Sequence, residues 1–113
     1  MDCIFCKLAA HEIPTDVVYE DEDIFVFKDS DPKAPIHYLF IPKQHVISLN
    51  EVGEREATLI GKIYQKIAEI AKKEGFAENG YRVVSNCGKD GGQSVPHLHF
   101  HVLAGREMAW PAG

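Results

Sequence analysis

Residues Gly91–Leu103 read Gly-Gly-Gln-Ser-Val-Pro-His-Leu-His-Phe-His-Val-Leu. From His97 to Leu103 polar and apolar residues alternate. The pattern predicts a β-strand, because successive strand side chains point to opposite faces. His97, His99 and His101 then share one face, while Leu98, Phe100 and Val102 share the other and can pack on a core. One surface histidine carries little meaning. Three on one strand face, entered from a glycine-rich turn, mark a candidate site.

Two chemistries fit the row. Three imidazoles can hold a zinc ion with one position open. Alternatively, one imidazole attacks phosphorus while its neighbours set its tautomer and supply protons. The upstream turn favours phosphorus. Gly88, Gly91 and Gly92 let the backbone bend tightly and approach a ligand. Backbone N–H groups there, with the side chains of Gln93 and Ser94, suit phosphate oxygens. The bland alternative is a hairpin turn beside a histidine ladder that satisfies its own hydrogen bonds.

Working outward, Asp2 is positioned to cap a short helix from about Cys3 to His11, stopped by Pro14. Val17–Tyr19 and Ile24–Phe27 are β-branched and aromatic runs split by acidic residues 20–23, which predicts a hairpin. Asp29–Pro32 is a turn or loop, and Tyr38–Ile41 a third strand ended by Pro42. The clearest helix spans Glu54–Glu74, with Leu59, Ile63, Ile67, Ile70 and Ala71 on one face and Gly75 at its exit. Tyr81–Ser85 is a fourth strand and His97–Leu103 a fifth. These elements predict an α+β domain: a five-stranded antiparallel sheet with one long and one short helix, in a single domain over residues 1–113.

The composition is that of a folded protein, with 45% hydrophobic residues in 113. Twelve basic against 17 acidic residues give a net charge of −5, which disfavours non-specific binding to nucleic acid or anionic membrane. A phosphate would have to be held by a few placed donors. No leader peptide or membrane span is visible, so the expected location is cytoplasmic, with reduced cysteines. Six His and three Cys are the uneven part of the composition.

Cys3 and Cys6 are one helical turn apart and have three readings: a redox pair, two buried apolar groups, or half of a structural zinc site. The redox reading is disfavoured because the pair does not follow a strand.

His97-Leu98-His99-Phe100-His101-Val102-Leu103 resembles the alternating signature of the histidine triad superfamily, without departure. The likeness extends over nearly the whole chain, through Cys3–Lys7, Ile13-Pro14, Val18–Asp21, Ile41-Pro42-Lys43-x-His45 and Asn86–Ser94. The tail Gly105–Gly113, with Trp110 and Pro111, is similar to that of the histidine-triad nucleotide-binding branch.

The resemblance implies the histidine-triad fold, a homodimer joining two sheets, and a purine nucleoside phosphoramidase. Such an enzyme cleaves the P–N bond of adenosine 5′-phosphoramidates and related aminoacyl adenylates. By motif position His99 is the nucleophile that forms a nucleotidyl-histidine, and His101 binds the phosphate and stabilises charge. His97 and His37 complete the catalytic set; His37 is otherwise a strand-start histidine with local hydrogen bonds. Asn86, Gly92, Gln93 and Ser94 match phosphate and leaving-group contacts. Asp29, beside Ser30, matches the acid that holds the ribose hydroxyls, and is otherwise a turn residue. Phe5, Leu8, Ile13 and Phe27 match the base pocket, and each is equally readable as core. Lys28 departs from a histidine found in some members.

In members with Cys-x-x-Cys, the resemblance completes a structural zinc site with two histidines, here giving Cys3, Cys6, His45 and His97 as ligands. No organic cofactor is implied. His11 reads as a solvated helix-end residue and Cys87 as a loop residue. Competing functions are hydrolysis or transfer of other nucleotide conjugates such as dinucleoside polyphosphates, and a nucleotide-binding regulatory module. A zinc-binding structural protein would leave His99 and His101 without a task.

Overall fold

The computed structural model describes residues 2–113. Its elements are α1 (Ile4–Ala9), β1 (Val17–Glu20), β2 (Ile24–Lys28), β3 (Ile36–Pro42), a 3-10 turn (Leu49–Glu51), α2 (Glu54–Glu74), β4 (Tyr81–Val84) and β5 (Phe100–Ala104). The strands form one antiparallel sheet in the order β1-β2-β3-β5-β4. The α+β architecture expected from the sequence is the one observed. No helix among the described residues is long and apolar enough to cross a membrane.

Both sheet faces are covered, which explains why Ile24–Phe27 and Tyr38–Ile41 read as continuous apolar runs. Ile24, Val26, Tyr38, Phe40, Leu98, Phe100 and Val102 face α2 and pack with Ile63, Ile67, Ile70 and Ala71. Phe25, Phe27, Leu39 and Ile41 face the other way and pack with Cys3, Phe5, Leu8 and Ala9 around α1. Each fully buried side chain of this size contributes about 1.5–3 kcal/mol. Leu59, at the rim of the predicted stripe, is only half-buried.

Polar groups set the ends of the elements. Asp21 Oδ1 accepts from the N–H groups of Asp23 and Ile24, which closes the acidic hairpin turn. Glu56 Oε1 accepts the N–H of Gly53 at the start of α2, and Gly75 leaves the helix at φ +86°. Helix α1 is shorter than predicted, ending at Ala9. Its N-cap is Cys3 rather than Asp2, with Cys3 Sγ accepting the Cys6 N–H. His11 turns the chain at φ +63°, and its ring pairs with Glu20.

The fifth strand also differs from expectation. It begins at Phe100, because the ladder with β3 stops at the Phe40–Phe100 pair. Beyond that pair the carbonyl of Pro42 accepts a ring N–H of His97, and the Leu98 N–H donates to Val46. The side-chain alternation continues through residues 97–99 although the ladder does not.

Candidate functional site

A cavity of about 390 Å³ lies between α1 and the histidine face of the sheet. Phe5, Leu8, Phe27 and Leu39 form its apolar walls, and Asp29, Ser94, His99 and His101 its polar end. Fixed backbone groups decide which ring nitrogens there carry protons.

His99 Nδ1 is 2.7 Å from the carbonyl oxygen of His97. A carbonyl only accepts, so Nδ1 holds the proton and Nε2 keeps its lone pair in the neutral ring. A second chain starts at the Lys33 N–H, which donates to His37 Nδ1 at 3.0 Å. His37 therefore carries its proton on Nε2 and donates it to His101 Nδ1 at 2.9 Å. His101 in turn carries its proton on Nε2. One cavity thus presents an unprotonated nitrogen from His99 and an N–H donor from His101.

Burial pushes the pKa of His101 down to about 4, with the neighbouring His99 and His37 adding to the effect and Asp29 opposing it. Burial lowers the His37 pKa as well, again against Asp29. Both rings are therefore neutral near pH 7, as the chain of donors requires. Asp29 Oδ2 lies 3.4 Å from His37 Nε2, and Oδ1 accepts the N–H of Asp31.

Ligand atoms of Asp29, His37 and His101 lie within 4.8 Å of one another, but the protons argue against a metal. An ion on His37 Nε2 would drive the ring proton to Nδ1, where the Lys33 N–H already points.

The second cluster has the opposite character. One ligand atom from each of Cys3, Cys6, His45 and His97 lies within 4.8 Å of the others. Cys3 Sγ is 3.3 Å and Cys6 Sγ 3.5 Å from His97 Nδ1, and Cys6 Sγ is 3.3 Å from His45 Nδ1. His97 Nε2–H donates to the Pro42 carbonyl at 2.8 Å, which leaves the Nδ1 lone pair facing the sulfurs. A second partner that fixes the ligand tautomer is the usual arrangement at metal-binding histidines. Two thiols and two imidazoles fit a closed tetrahedral zinc site. Burial pushes the Cys6 thiol up to about 11, with Cys3 adding to the shift.

The predicted residues divide among several tasks. Phe5, Leu8, Phe27, Asp29, Ser30, Ser94, His99 and His101 line the cavity. Ile13 packs on the small core behind it. The ring of His97, expected in the catalytic set, is wholly buried in the Cys/His cluster, and its contribution to the cavity is the carbonyl that holds His99. Gln93, expected to contact phosphate, has its amide committed elsewhere. Nε2 donates to the carbonyls of Ile47 and Val95, and Oε1 accepts the Gly88 N–H. Asn86 Nδ2 donates to Gly91 O. At Gly91 a Cβ would lie 2.3 Å from Cys87 O, and Gly92 has φ +76°, so the loop needs glycine at both. Cys87 is half-buried in that loop.

Thr15, Pro14, Ile4, Lys28 and Val95 also line the cavity. Their sequence context gives no periodic signal, apart from the position of Lys28 beside Asp29. The Lys33 backbone donor is likewise independent of residue type.

Residues 2–110 match the family described as scavenger mRNA decapping enzyme C-terminal binding. The chain is 40% identical to the purine nucleoside phosphoramidase of Escherichia coli strain K12, over 95% of this chain and 90% of that protein. It is 46% identical to a 14 kDa zinc-binding protein of Zea mays, over 97% of this chain and 87% of that protein. A HIT family hydrolase from Legionella pneumophila Philadelphia 1 has a similar structure, with TM-score 0.97 and 46% identity, covering 99% of this chain and 100% of that one.

Proposed function

The chain belongs to the HIT (histidine triad) family of hydrolases, and from that premise we propose that it is a purine nucleoside phosphoramidase acting through His99. The observation that carries this reading is the pair of opposite tautomers at one cavity: a lone pair on His99 Nε2 and a proton on His101 Nε2.

In this mechanism the nucleoside lies against Phe5, Leu8 and Phe27, with its ribose hydroxyls toward Asp29. His99 Nε2 attacks the α-phosphorus. The P–N bond breaks as the amine nitrogen takes a proton from solvent water, and a nucleotidyl-histidine remains for a second water to hydrolyse, which returns a proton to solvent and restores neutral His99. Splitting one displacement into two lowers each barrier. The His101 Nε2–H and Ser94 stabilise charge on the phosphoryl oxygens, and a preorganised donor is worth more in such a site than in water.

Cys3, Cys6, His45 and His97 would hold a structural zinc ion, tying α1 to the segment that carries His99. The ion supplies no step of the reaction. The reading carries with it a cytoplasmic homodimer. Steady-state rates with adenosine 5′-phosphoramidate, an aminoacyl adenylate and a diadenosine polyphosphate test the function: the first two should be preferred. Preference for the polyphosphate would overturn it.

A further inference from the structure

We propose that Arg106 is a positioning residue for the reaction: its guanidinium holds the Lys33 backbone in the orientation that decides which nitrogen of His101 carries the proton. The inference rests on the phosphoramidase reading above and adds a residue that stands three hydrogen bonds from His101.

The donor chain begins on a backbone group that neither sheet nor helix secures. Residues 29–35, between β2 and β3, belong to no regular element. The Lys33 N–H must nevertheless point at His37 Nδ1, 3.0 Å away. With Lys33 turned aside, His37 Nδ1 loses the donor that keeps it unprotonated, and the proton of His101 is no longer assigned to one nitrogen. Asp29 Oδ2 also favours a proton on His37 Nε2, but at 3.4 Å it lies beyond ordinary hydrogen-bond distance. Its other oxygen is tied to the same loop through the Asp31 N–H. Both influences on His37 therefore depend on how this loop is held.

Inside the loop the polar bonds are local and exposed: Asp31 N–H to Asp29, and Lys33 Nζ to Asp31. Arg106 reaches in from 73 positions away. Its Nε and Nη2 donate to the Lys33 carbonyl at 3.2 and 2.9 Å, and its Nη1 donates to the Glu107 carbonyl. Two donors of a rigid planar fork on one oxygen define the direction of that carbonyl. The carbonyl and the N–H of Lys33 flank one Cα, so fixing the first restricts the rotation that aims the second. Among the described residues Arg106 makes no ion pair, so its polar side-chain contacts are with backbone carbonyls.

The turn before Arg106 is built for this approach. The β3–β5 ladder ends at the Ile36–Ala104 pair. Gly105 follows at φ +95°, and a Cβ there would lie 2.8 Å from Pro35 Cβ. The chain thus leaves β5 pressed against the end of the loop, with Arg106 as the next residue.

The test is a double-substitution cycle with adenosine 5′-phosphoramidate. Arg106→Ala should lower kcat about tenfold, the rate equivalent of one hydrogen bond, with KM changed less than about twofold. In a His37→Ala background the same substitution should change kcat by less than about twofold, because the chain it steadies is already broken. Arg106→Lys, which keeps the charge and a single donor group, should recover part of the loss, and it replaces Arg106→Ala in the cycle if that variant does not fold. An equal fold-loss with and without His37 overturns the proposal, as does an unchanged kcat in the variant used. NMR of the ring nitrogens reads the same effect without substrate. His101 should hold its proton on Nε2 alone in the unmodified protein and populate both tautomers in the variant; one unaltered tautomer overturns the proposal. If the unmodified protein turns over no phosphoramidate, the phosphoramidase reading falls, and the ring-nitrogen measurement alone decides the role of Arg106.

Discussion

His37 Nε2 stands 2.9 Å from His101 Nδ1, at the end of a hydrogen-bond chain whose first donor is the Lys33 backbone N–H. A peptide N–H cannot reverse its role, so the chain has one direction. It fixes the proton of His101 on the nitrogen that faces the substrate. His37→Ala should lower kcat by roughly 100-fold, the low end of what a placed proton contributes, with a smaller change in KM. His37→Gln retains an N–H donor and should recover part of the loss. Equal loss in both variants would show that His37 acts through packing alone.

The same pair sets a pH dependence of stability. The folded pKa of His101 is about 4, below the ordinary 6.5. Below 6.5 the unfolded chain takes up a proton that the folded chain refuses, so stability falls with pH from 6.5 toward about 4. His37, shifted in the same direction by burial, adds to the slope. Calorimetric Tm values across this interval should decline, and His101→Asn should decline less steeply than the unmodified protein. Parallel curves would contradict the buried neutral imidazole.

The Cys/His cluster predicts about one zinc ion per chain by elemental analysis. Cys3→Ala should lose the metal and at least about 2 kcal/mol of stability, roughly 10 °C in Tm for a domain of this size. Turnover should fall as well, because the carbonyl that orients His99 belongs to His97, one of the four ligand residues. Unchanged Tm and metal content would remove the site.

Gln93 joins the glycine loop to the segment that carries His45, through Gly88, Ile47 and Val95. Gln93→Ala should cost about 1–3 kcal/mol through the partners left unpaired, and raise KM more than it lowers kcat. Gln93→Glu lacks the two donors and should not rescue. A pure kcat effect would restore the direct phosphate contact expected from its sequence position.

How much of this was legible follows from the kind of signal each residue emits. Leu98, Phe100 and Val102, and Ile63, Ile67 and Ile70 on α2, could be assigned from period alone, and they pack as assigned. The point where the ladder stops is not periodic information, since it depends on Pro42 giving its carbonyl to a ring nitrogen of His97. Gln93 and Asn86 have residue types that suit phosphate contact and loop bracing equally well, and only the folded loop separates the two. Cys3 and Cys6 announce themselves by spacing, whereas His45 and His97 join them only through the pairing of distant segments. Arg106 gives no periodic signal and meets Lys33 because β3 pairs with β5 and the chain turns at Gly105 against Pro35.

The central claim is that His99 Nε2 forms the covalent bond to phosphorus. The direct measurement is mass spectrometry of enzyme quenched during turnover of adenosine 5′-phosphoramidate. The account predicts one adenylyl group on the peptide containing His99, lost on acid treatment as a phosphorus–nitrogen bond should be, and absent from His99→Ala together with turnover. An adduct on another residue, or near-normal turnover by His99→Ala, would contradict it.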